Sequence, residues 1–190
     1  MRELNFDIEW DAVRKINDEF ANSISEKRIN LSLNRALRRT EASLRRLTMK
    51  HLPKELGLRT AAALRKRVKS IKGVVRANSS EVVMWFGLND LPVSSFKGRP
   101  KGTNTGAEFK GKTYQGGFIG KSKYKSKQTI FKRAGKERLP ITEQLYPIHD
   151  AGVIFIEDEL FDQTMDIFWR HFERDIRARI KYDLGWKGKN

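Results

Sequence analysis

The sequence predicts an α+β fold: a small, mostly antiparallel sheet with long N-terminal and C-terminal helices packed on it, plus an extended basic arm. Apolar residues recur at helical spacing towards both ends of the chain, whereas short extended segments bounded by Gly, Pro and Asn fill the middle. Residues 97–138, the basic arm, are rich in Lys and Gly and have little apolar patterning, so they favour an extension over a second core. The 190 residues fit one domain.

The N-terminal part is predicted to be helical. An acidic helix is expected within residues 1–26, with Asp7 as its N-cap. Basic helices follow over residues 27–72: a long one that ends before Gly57 and a short one from about residue 60 to 70. On the long helix, apolar or small side chains spaced by three and four define the buried face, namely Leu33, Leu37, Thr40, Leu44 and Leu47.

The middle of the chain, residues 73–141, is predicted to form the sheet. A hairpin is expected around the turn at residues 78–80, and two prolines, Pro140 and Pro147, favour an extended segment after the arm. No regular structure is predicted for residues 98–106. Three short strands are expected inside the arm, at residues 107–114, 117–119 and 129–133.

A C-terminal helix is predicted over residues 150–184, with Gly185 as its cap. Acidic residues fill its first turns and basic residues its last, an order that suits the helix dipole. Its predicted buried stripe consists of Phe161, Met165, Phe168, Phe172, Ile176 and Ile180.

The charge of the chain is its strongest functional signal. The formal net charge is +16, and the basic arm alone carries thirteen Lys or Arg against two Glu. Ten of those thirteen are lysines, which act as hydrated point charges, so a sequence-independent contact with a polyanion or an acidic protein is expected. The residues predicted to make it are Lys121, Lys123, Lys125 and Lys127, with a second basic surface at Arg65, Lys66 and Arg67. For that second surface, a merely solvated helix face is an equal alternative.

The aromatic residues of the arm allow two interpretations. Interleaved with lysines, they could stack on the bases of a single strand, or they could pack on the body of the protein. We favour packing for Phe109, Phe118 and Phe131 and leave Tyr124 open.

No catalytic, metal or cofactor site is predicted. The histidines His51, His149 and His171 lie far apart in the sequence, and the chain has no cysteine. The acids at 157–159 occupy consecutive helical positions, which diverge by about 100° and do not converge on one ion. No apolar signal region follows Met1, and the longest apolar run, residues 153–156, is too short to span a bilayer. We therefore expect no membrane partner.

The order of the elements resembles the minor tail protein Z family of lambda-like phages, related to the tail-completion and neck proteins of long-tailed phages. The resemblance covers roughly residues 27–184 and depends on three segments in order. These are Leu91–Pro92, then Gly117, Phe118 and Ile119, then the run Arg133, Gly135, Lys136, Arg138, Pro140 and Ile141 that leads to Pro147. The N-terminal acidic segment matches less clearly.

The resemblance implies a structural virion protein rather than an enzyme. It would complete the head-proximal end of the tail as a ring, expected to be hexameric, around the DNA channel at the head–tail junction. The implied partners are other copies, the tail terminator, head-completion or connector proteins, and packaged DNA held by non-specific electrostatics. It would be assembled in the cytoplasm of the bacterial host. The alternatives are a monomeric or dimeric nucleic-acid-binding protein and, less favoured, a nuclease.

Overall fold

The computed structural model describes residues 2–7, 11, 13, 15, 25–71, 75–76, 79–122 and 125–187, and it has the predicted α+β class. The helices are α1 (Glu26–Glu55), α2 (Ala62–Arg65), α3 (His149–Phe155) and α4 (Asp162–Lys187), and a π-helical segment, Ile156–Phe161, joins the last two. The strands are β1 (Arg2–Asp7), β2 (Val68–Ile71), β3 (Val75–Arg76), β4 (Ser79–Phe86), β5 (Leu91–Pro92), β6 (Lys101–Thr103), β7 (Gly106–Phe109), β8 (Lys112–Gln115), β9 (Phe118–Ser122), β10 (Lys125–Arg133), β11 (Ile141–Glu143) and β12 (Leu145–Tyr146). All pairings between these strands are antiparallel. Within the described ranges, no helix is both long and apolar enough to cross a membrane.

The described residues divide into two compact units. Unit 1 contains Met1–Thr48, Val68–Phe86 and Ile156–Asn190, and unit 2 contains Met49–Arg67 and Gly87–Phe155. Each unit buries its own set of apolar side chains.

Unit 1 combines most of α1 with α4 and a sheet in which β4 lies between β1 and β2. Strand β3 pairs with the start of β4, which confirms the predicted hairpin, but Ser79 and Ser80, predicted to lie in its turn, belong to β4 and pair with β3. The predicted stripe of α1 is buried from Leu33 to Leu44, because residues spaced by three and four share one face of a helix. On α4, the buried rings of Phe168 and Phe172 stack with centroids 6.0 Å apart. An ion pair between Arg35 of α1 and Asp175 of α4 joins the two helices.

Unit 2 contains the end of α1, α2, α3 and three small sheets. Their strand orders are β11-β10-β9, β12-β5 and β6-β7-β8. The 3₁₀ turn Val93–Ser95 follows β5 directly. The core of this unit is made of side chains from all of these parts, including Leu52, Leu64, Phe96, Phe109, Ile130 and Ile148.

Residues 2–7 form an edge strand and not the beginning of an N-terminal helix. Each residue of β1 pairs with β4, from Arg2 opposite Phe86 to Asp7 opposite Glu81. Because Asp7 belongs to this ladder, it is not an N-cap, and the prediction is wrong for this segment. Residues 11, 13 and 15 are helical, as predicted, and the other positions of that helix up to residue 24 lie outside the described residues.

The second basic helix is much shorter than predicted. It is limited to α2, and the following segment forms β2, whose Val68 pairs with Phe86 and whose Ile71 pairs with Val83. Val68 and Ile71 are β-branched and fit a strand that lies beside β4, so tertiary pairing overrides the local helical spacing. The prediction of helices throughout residues 27–72 is therefore wrong over its last part.

The C-terminal helix differs from prediction in its register. It begins at His149 and continues to Lys187, so Gly185 lies within it and does not cap it. Its π-helical segment has i→i+5 geometry, which shifts the side chains that precede α4 relative to an uninterrupted α-helix. As a result, Leu160 is buried, whereas Phe161, predicted to lie in the core, is 55% exposed.

The basic arm is largely folded into strands. The segment predicted as one strand at residues 107–114 is the hairpin of β7 and β8, and β6 occupies part of the stretch for which no structure is predicted. The two later predicted strands are confirmed as parts of β9 and β10, with Phe118 paired to Phe131. Phe109 is buried, whereas Phe118 remains 40% exposed. Tyr124 lies outside the described residues.

Candidate functional site

The end of helix α1 positions the first basic residue of a groove in unit 2. Gly57, with φ +64°, closes the helix with two backbone hydrogen bonds of 2.9 and 2.7 Å in the pattern of a Schellman motif, which confirms the predicted helix end. The next residue, Leu58, bridges to Phe96. The N–H of Arg59 then donates to the carbonyl oxygen of Ser95 over 2.9 Å. Arg59 is therefore held by backbone contacts on both sides.

The guanidinium of Arg59 retains a donor that no described group satisfies. Its Nη2 donates to the carbonyl oxygen of Gly98 over 3.0 Å, but its Nε is buried without a hydrogen-bond partner. A buried donor without an acceptor costs about 1–3 kcal/mol. The Nε is closed off from the groove, so the contribution of Arg59 to an incoming anion is the positive charge of a residue that lines the groove.

The β9–β10 hairpin supplies the opposite basic residues. Gln128 pairs with Lys121 and Lys125 pairs with Ser122, so two residues of β10 lie between these pairs with no counterpart on β9. Such a bulge bends a strand and changes the direction of its side chains. It contains Lys127, whose exposed side chain contributes to the same groove as Arg59.

The floor of the groove is made by β5 and the 3₁₀ turn that follows it. Leu91 and Pro92 pair with β12, and the turn is held from behind by Glu143. Oε1 of Glu143 accepts from the backbone N–H of Ser94 over 3.1 Å and from Oγ1 of Thr129 over 2.6 Å. This carboxylate therefore ties the floor to β10, the strand that carries the bulge.

The groove consists of two adjoining hollows of about 540 and 420 Å³ that share Arg59 and Lys127. Among the described residues that line them, five are basic and none is acidic: Arg59, Arg67, Arg99, Lys121 and Lys127. Like charges that converge on a concave surface raise the local concentration of anions. Such an arrangement binds phosphate or carboxylate groups, and its apolar floor accepts a hydrocarbon part as well.

The structure brings together some of the predicted site residues and separates others. Lys121 and Lys127 line the groove, and so does Arg67, although the Arg67 guanidinium also donates to the backbone carbonyl oxygens of the 89–90 loop. Arg65 and Lys66 are exposed but do not line it. The backbone of Lys125 lies in β10 without a described side chain, and Lys123 is outside the described residues.

Sequence reasoning missed Arg59 and Arg99. Arg59 follows the predicted helix end by two residues, a place from which side chains often leave the helix axis, and this was the available signal. Arg99 follows Gly98, whose φ of +104° lies in the left-handed region that favours glycine. Nothing in either local pattern indicates that the two residues meet Lys127, because that contact depends on long-range pairing.

A second polar feature of unit 2 is an ammonium group that lies beside three aromatic rings. Nζ of Lys110 lies 5.3 Å from the ring centroid of Phe96 and 5.9 Å from those of Phe109 and Tyr146. The same Nζ donates to the carbonyl oxygen of Leu56, just beyond the end of α1, over 3.4 Å. Burial lowers the pKa of Lys110 from its ordinary value, while ring faces and a helix C-terminus both attract the charged form. This aromatic cage is thus occupied by the protein's own lysine.

Unit 1 contains a buried carboxylate among cations. Asp175 is 6% exposed; its Oδ2 accepts from Nε of Arg179 over 2.8 Å, and its Oδ1 lies 3.6 Å from Nη1 of both Arg35 and Arg39. Although burial opposes ionisation, the hydrogen bonds and positive neighbours lower the pKa of Asp175. Nε2 of His171 lies 3.1 Å from Oγ of Ser43, and burial together with nearby arginines lowers the pKa of His171. These contacts join α1 to α4.

Comparisons of the chain with protein-family models, with curated proteins and with solved structures give no match. A search of the described ranges also gives no group of three or more His, Cys, Asp or Glu side chains placed to hold a metal ion. The geometry of the basic groove and the resemblance in the sequence are therefore the grounds on which a function is proposed.

Proposed function

We propose that the protein is a structural component of a phage virion that completes the head-proximal end of the tail. Copies form a hexameric ring around the DNA channel at the head–tail junction, after assembly in the host cytoplasm. The ring contacts the tail terminator on one side and head-completion or connector proteins on the other, and it makes the tail competent for joining and genome delivery. Its role is structural and not enzymatic.

The segments that carry the family resemblance support this proposal by their positions. All three lie in unit 2, although about fifty residues separate the first from the last. Leu91–Pro92 pairs with β12, Phe118 pairs with Phe131, and Ile141 pairs with Arg133. Residues of one family pattern that meet in one folded unit are expected if the pattern reflects a shared structure.

The observation that carries the proposal is the basic groove. Five cations and no acid among its described lining residues favour a polyanionic or acidic partner. Lys121 and Lys127 supply charge without the fork geometry that reads a base edge, and the guanidiniums of Arg59 and Arg67 already donate to backbone carbonyl oxygens, so a contact independent of nucleotide sequence is expected. A component placed between acidic protein surfaces and packaged DNA meets both kinds of partner.

Localisation in particles tests the proposal directly. Gold-labelled antibody against the chain, applied to phage particles from a host that carries its gene, is expected to mark the junction between head and tail. Negative-stain images of the purified chain at physiological salt are expected to show closed rings. Particles without label at the junction, together with a chain that never forms rings, would overturn the proposal.

The same groove also supports a second candidate, a sequence-independent nucleic-acid-binding protein. That function predicts a monomer or dimer with tight duplex or RNA affinity whose logarithm falls steeply with the logarithm of salt concentration. Light scattering followed by binding across a salt series separates the two. A monomer that binds a mixed-sequence duplex tightly at physiological salt would favour this candidate over the virion protein.

A further inference from the structure

The π-helical segment and the first residue of α4 present an acidic surface with an aromatic residue in its middle. Asp158, Glu159, Phe161 and Asp162, which we call the acidic turn, all have exposed side chains. The segment from 157 to 162 contains four acids and no base. Phe161, the last residue of the π-helical segment, is 55% exposed. π-Helical turns within longer helices are frequently functional.

The acidic turn is the chemical complement of the basic groove. The groove has a floor that includes Leu91, Pro92 and Ala63, and its rim carries the basic side chains. Interfaces commonly bury an aromatic anchor in an apolar hollow surrounded by polar and charged pairs. A hollow of about 540 Å³ accommodates an aromatic side chain with its flanking residues. A DNA backbone supplies the negative charge but no comparable apolar anchor.

We propose that the acidic turn of one copy docks into the basic groove of a neighbouring copy, with Phe161 on the apolar floor and Asp162 among the groove cations. The acidic turn belongs to unit 1 and the groove to unit 2, so the contact joins two different surfaces. A contact of this head-to-tail type generates closed rings when its rotation closes. The inference rests on the proposed ring and names the surfaces that build it.

Charge reversal on either side tests the contact. Lys127→Glu and Asp162→Lys each leave one of the two surfaces intact, so each variant alone is expected to self-associate at least about tenfold more weakly than the native chain. An equimolar mixture can form one intact contact per pair, between the acidic turn of Lys127→Glu and the groove of Asp162→Lys. A discrete one-to-one dimer is therefore expected in sedimentation velocity. Lys136→Glu and Glu137→Lys, both in the exposed loop after β10, match the charge changes and should associate like the native chain.

Site-directed crosslinking detects the contact even where it is too weak to be seen in sedimentation velocity. Because the chain has no cysteine, Lys127→Cys mixed with Asp162→Cys reacts with a bismaleimide only where the two introduced thiols meet. Crosslinked dimer is expected from this mixture and not from Lys136→Cys mixed with Asp162→Cys. Absence of crosslinking at the highest soluble concentration would overturn the inference.

Two further outcomes separate this inference from the proposed function. Rings that persist unchanged in both charge-reversal variants refute the docking contact and leave the virion role intact. Binding to a 30-base-pair duplex gives the second outcome. If Lys127→Glu weakens this binding, Asp162→Lys leaves it unchanged and neither variant changes self-association, the groove is assigned to DNA. The virion role itself is tested by the gold labelling of phage particles, an experiment that uses neither variant.

Discussion

Replacing Lys110 by Met is expected to destabilise unit 2 by about 2 kcal/mol. A partly desolvated ammonium near aromatic rings contributes about 0.5–2 kcal/mol. The helix C-terminus beside Leu56 adds about 0.3–1 kcal/mol. Methionine keeps most of the aliphatic stem but loses the charge, and it retains the left-handed backbone of φ 47°, so no strain is relieved. The two charge contributions add to about 0.8–3 kcal/mol, and the desolvation that lowers the pKa of Lys110 offsets part of this sum, so the expected loss lies in the middle of the range.

Chemical denaturation, monitored by the fluorescence of the chain, measures this loss of unfolding free energy. A nearby lysine provides the control. Lys112, which is exposed like Lys110, lies 5.3 Å from the ring of Tyr114, its single ring partner among the described residues. Lys112→Met is accordingly expected to change the free energy of unfolding by about 0.5 kcal/mol. Lys110→Gly relieves the left-handed backbone but loses the aliphatic stem, so it should differ from Lys110→Met by under about 1 kcal/mol.

A double-mutant cycle decides whether the cage itself is responsible. Tyr146→Leu removes one ring. The loss of unfolding free energy that it causes should be smaller in the Lys110→Met background than in the native chain by about 0.5–1 kcal/mol, the contribution of a single cation–ring contact. Independent effects of the two changes, or a Lys110→Met variant as stable as the native chain, would refute the reasoning.

Three other predictions follow from the same structure. Asp175→Asn leaves the surrounding guanidiniums uncompensated and should cost about 3 kcal/mol in urea denaturation, whereas Glu173→Gln, in an exposed pair, should cost under about 0.5 kcal/mol. Because the pKa of His171 is lowered in the folded state, the unfolded chain binds more protons below about pH 6.5, so the free energy of unfolding should fall as the pH drops below that value. His171→Gln should reduce this dependence of stability on pH. A dependence that is the same in the variant and the native chain would contradict the prediction. Gly57→Ala places a Cβ 2.5 Å from Nζ of Lys110 at a φ of +64°, so it should lower the melting temperature more in the native background than in Lys110→Met.

The sequence predicts those parts of the fold that local patterning determines. The buried stripe of α1 and the helix end at Gly57 follow from side-chain spacing and from the conformational freedom of glycine, and both are confirmed. Helical spacing failed at Val68, because the partner strand β4 was available to pair with it. Likewise, Phe161 fits an ideal α-helical stripe but is exposed, and it is the last residue of a π-helical segment that the side-chain spacing does not predict.

The groove was predictable only in part. A run of lysines at alternate positions identifies Lys121 and Lys127, because charge is a local property of the sequence. Arg59 and Arg99 lie about seventy and thirty residues before Lys127, and their place in the same groove depends on a bridge at Leu58 and a bulge in β10. Neither the bridge nor the bulge has a sequence signature of its own.

The bulge in β10 makes the groove independent of the hairpin tip. Lys127 takes its position from the irregularity between Lys125 and Gln128, and not from the residues that connect β9 to β10. The tip can therefore change in length and composition while the groove keeps its charge and shape. The lysine-rich region, which is a single patch in the sequence, thus comprises two modules that evolution and protein engineering can vary separately.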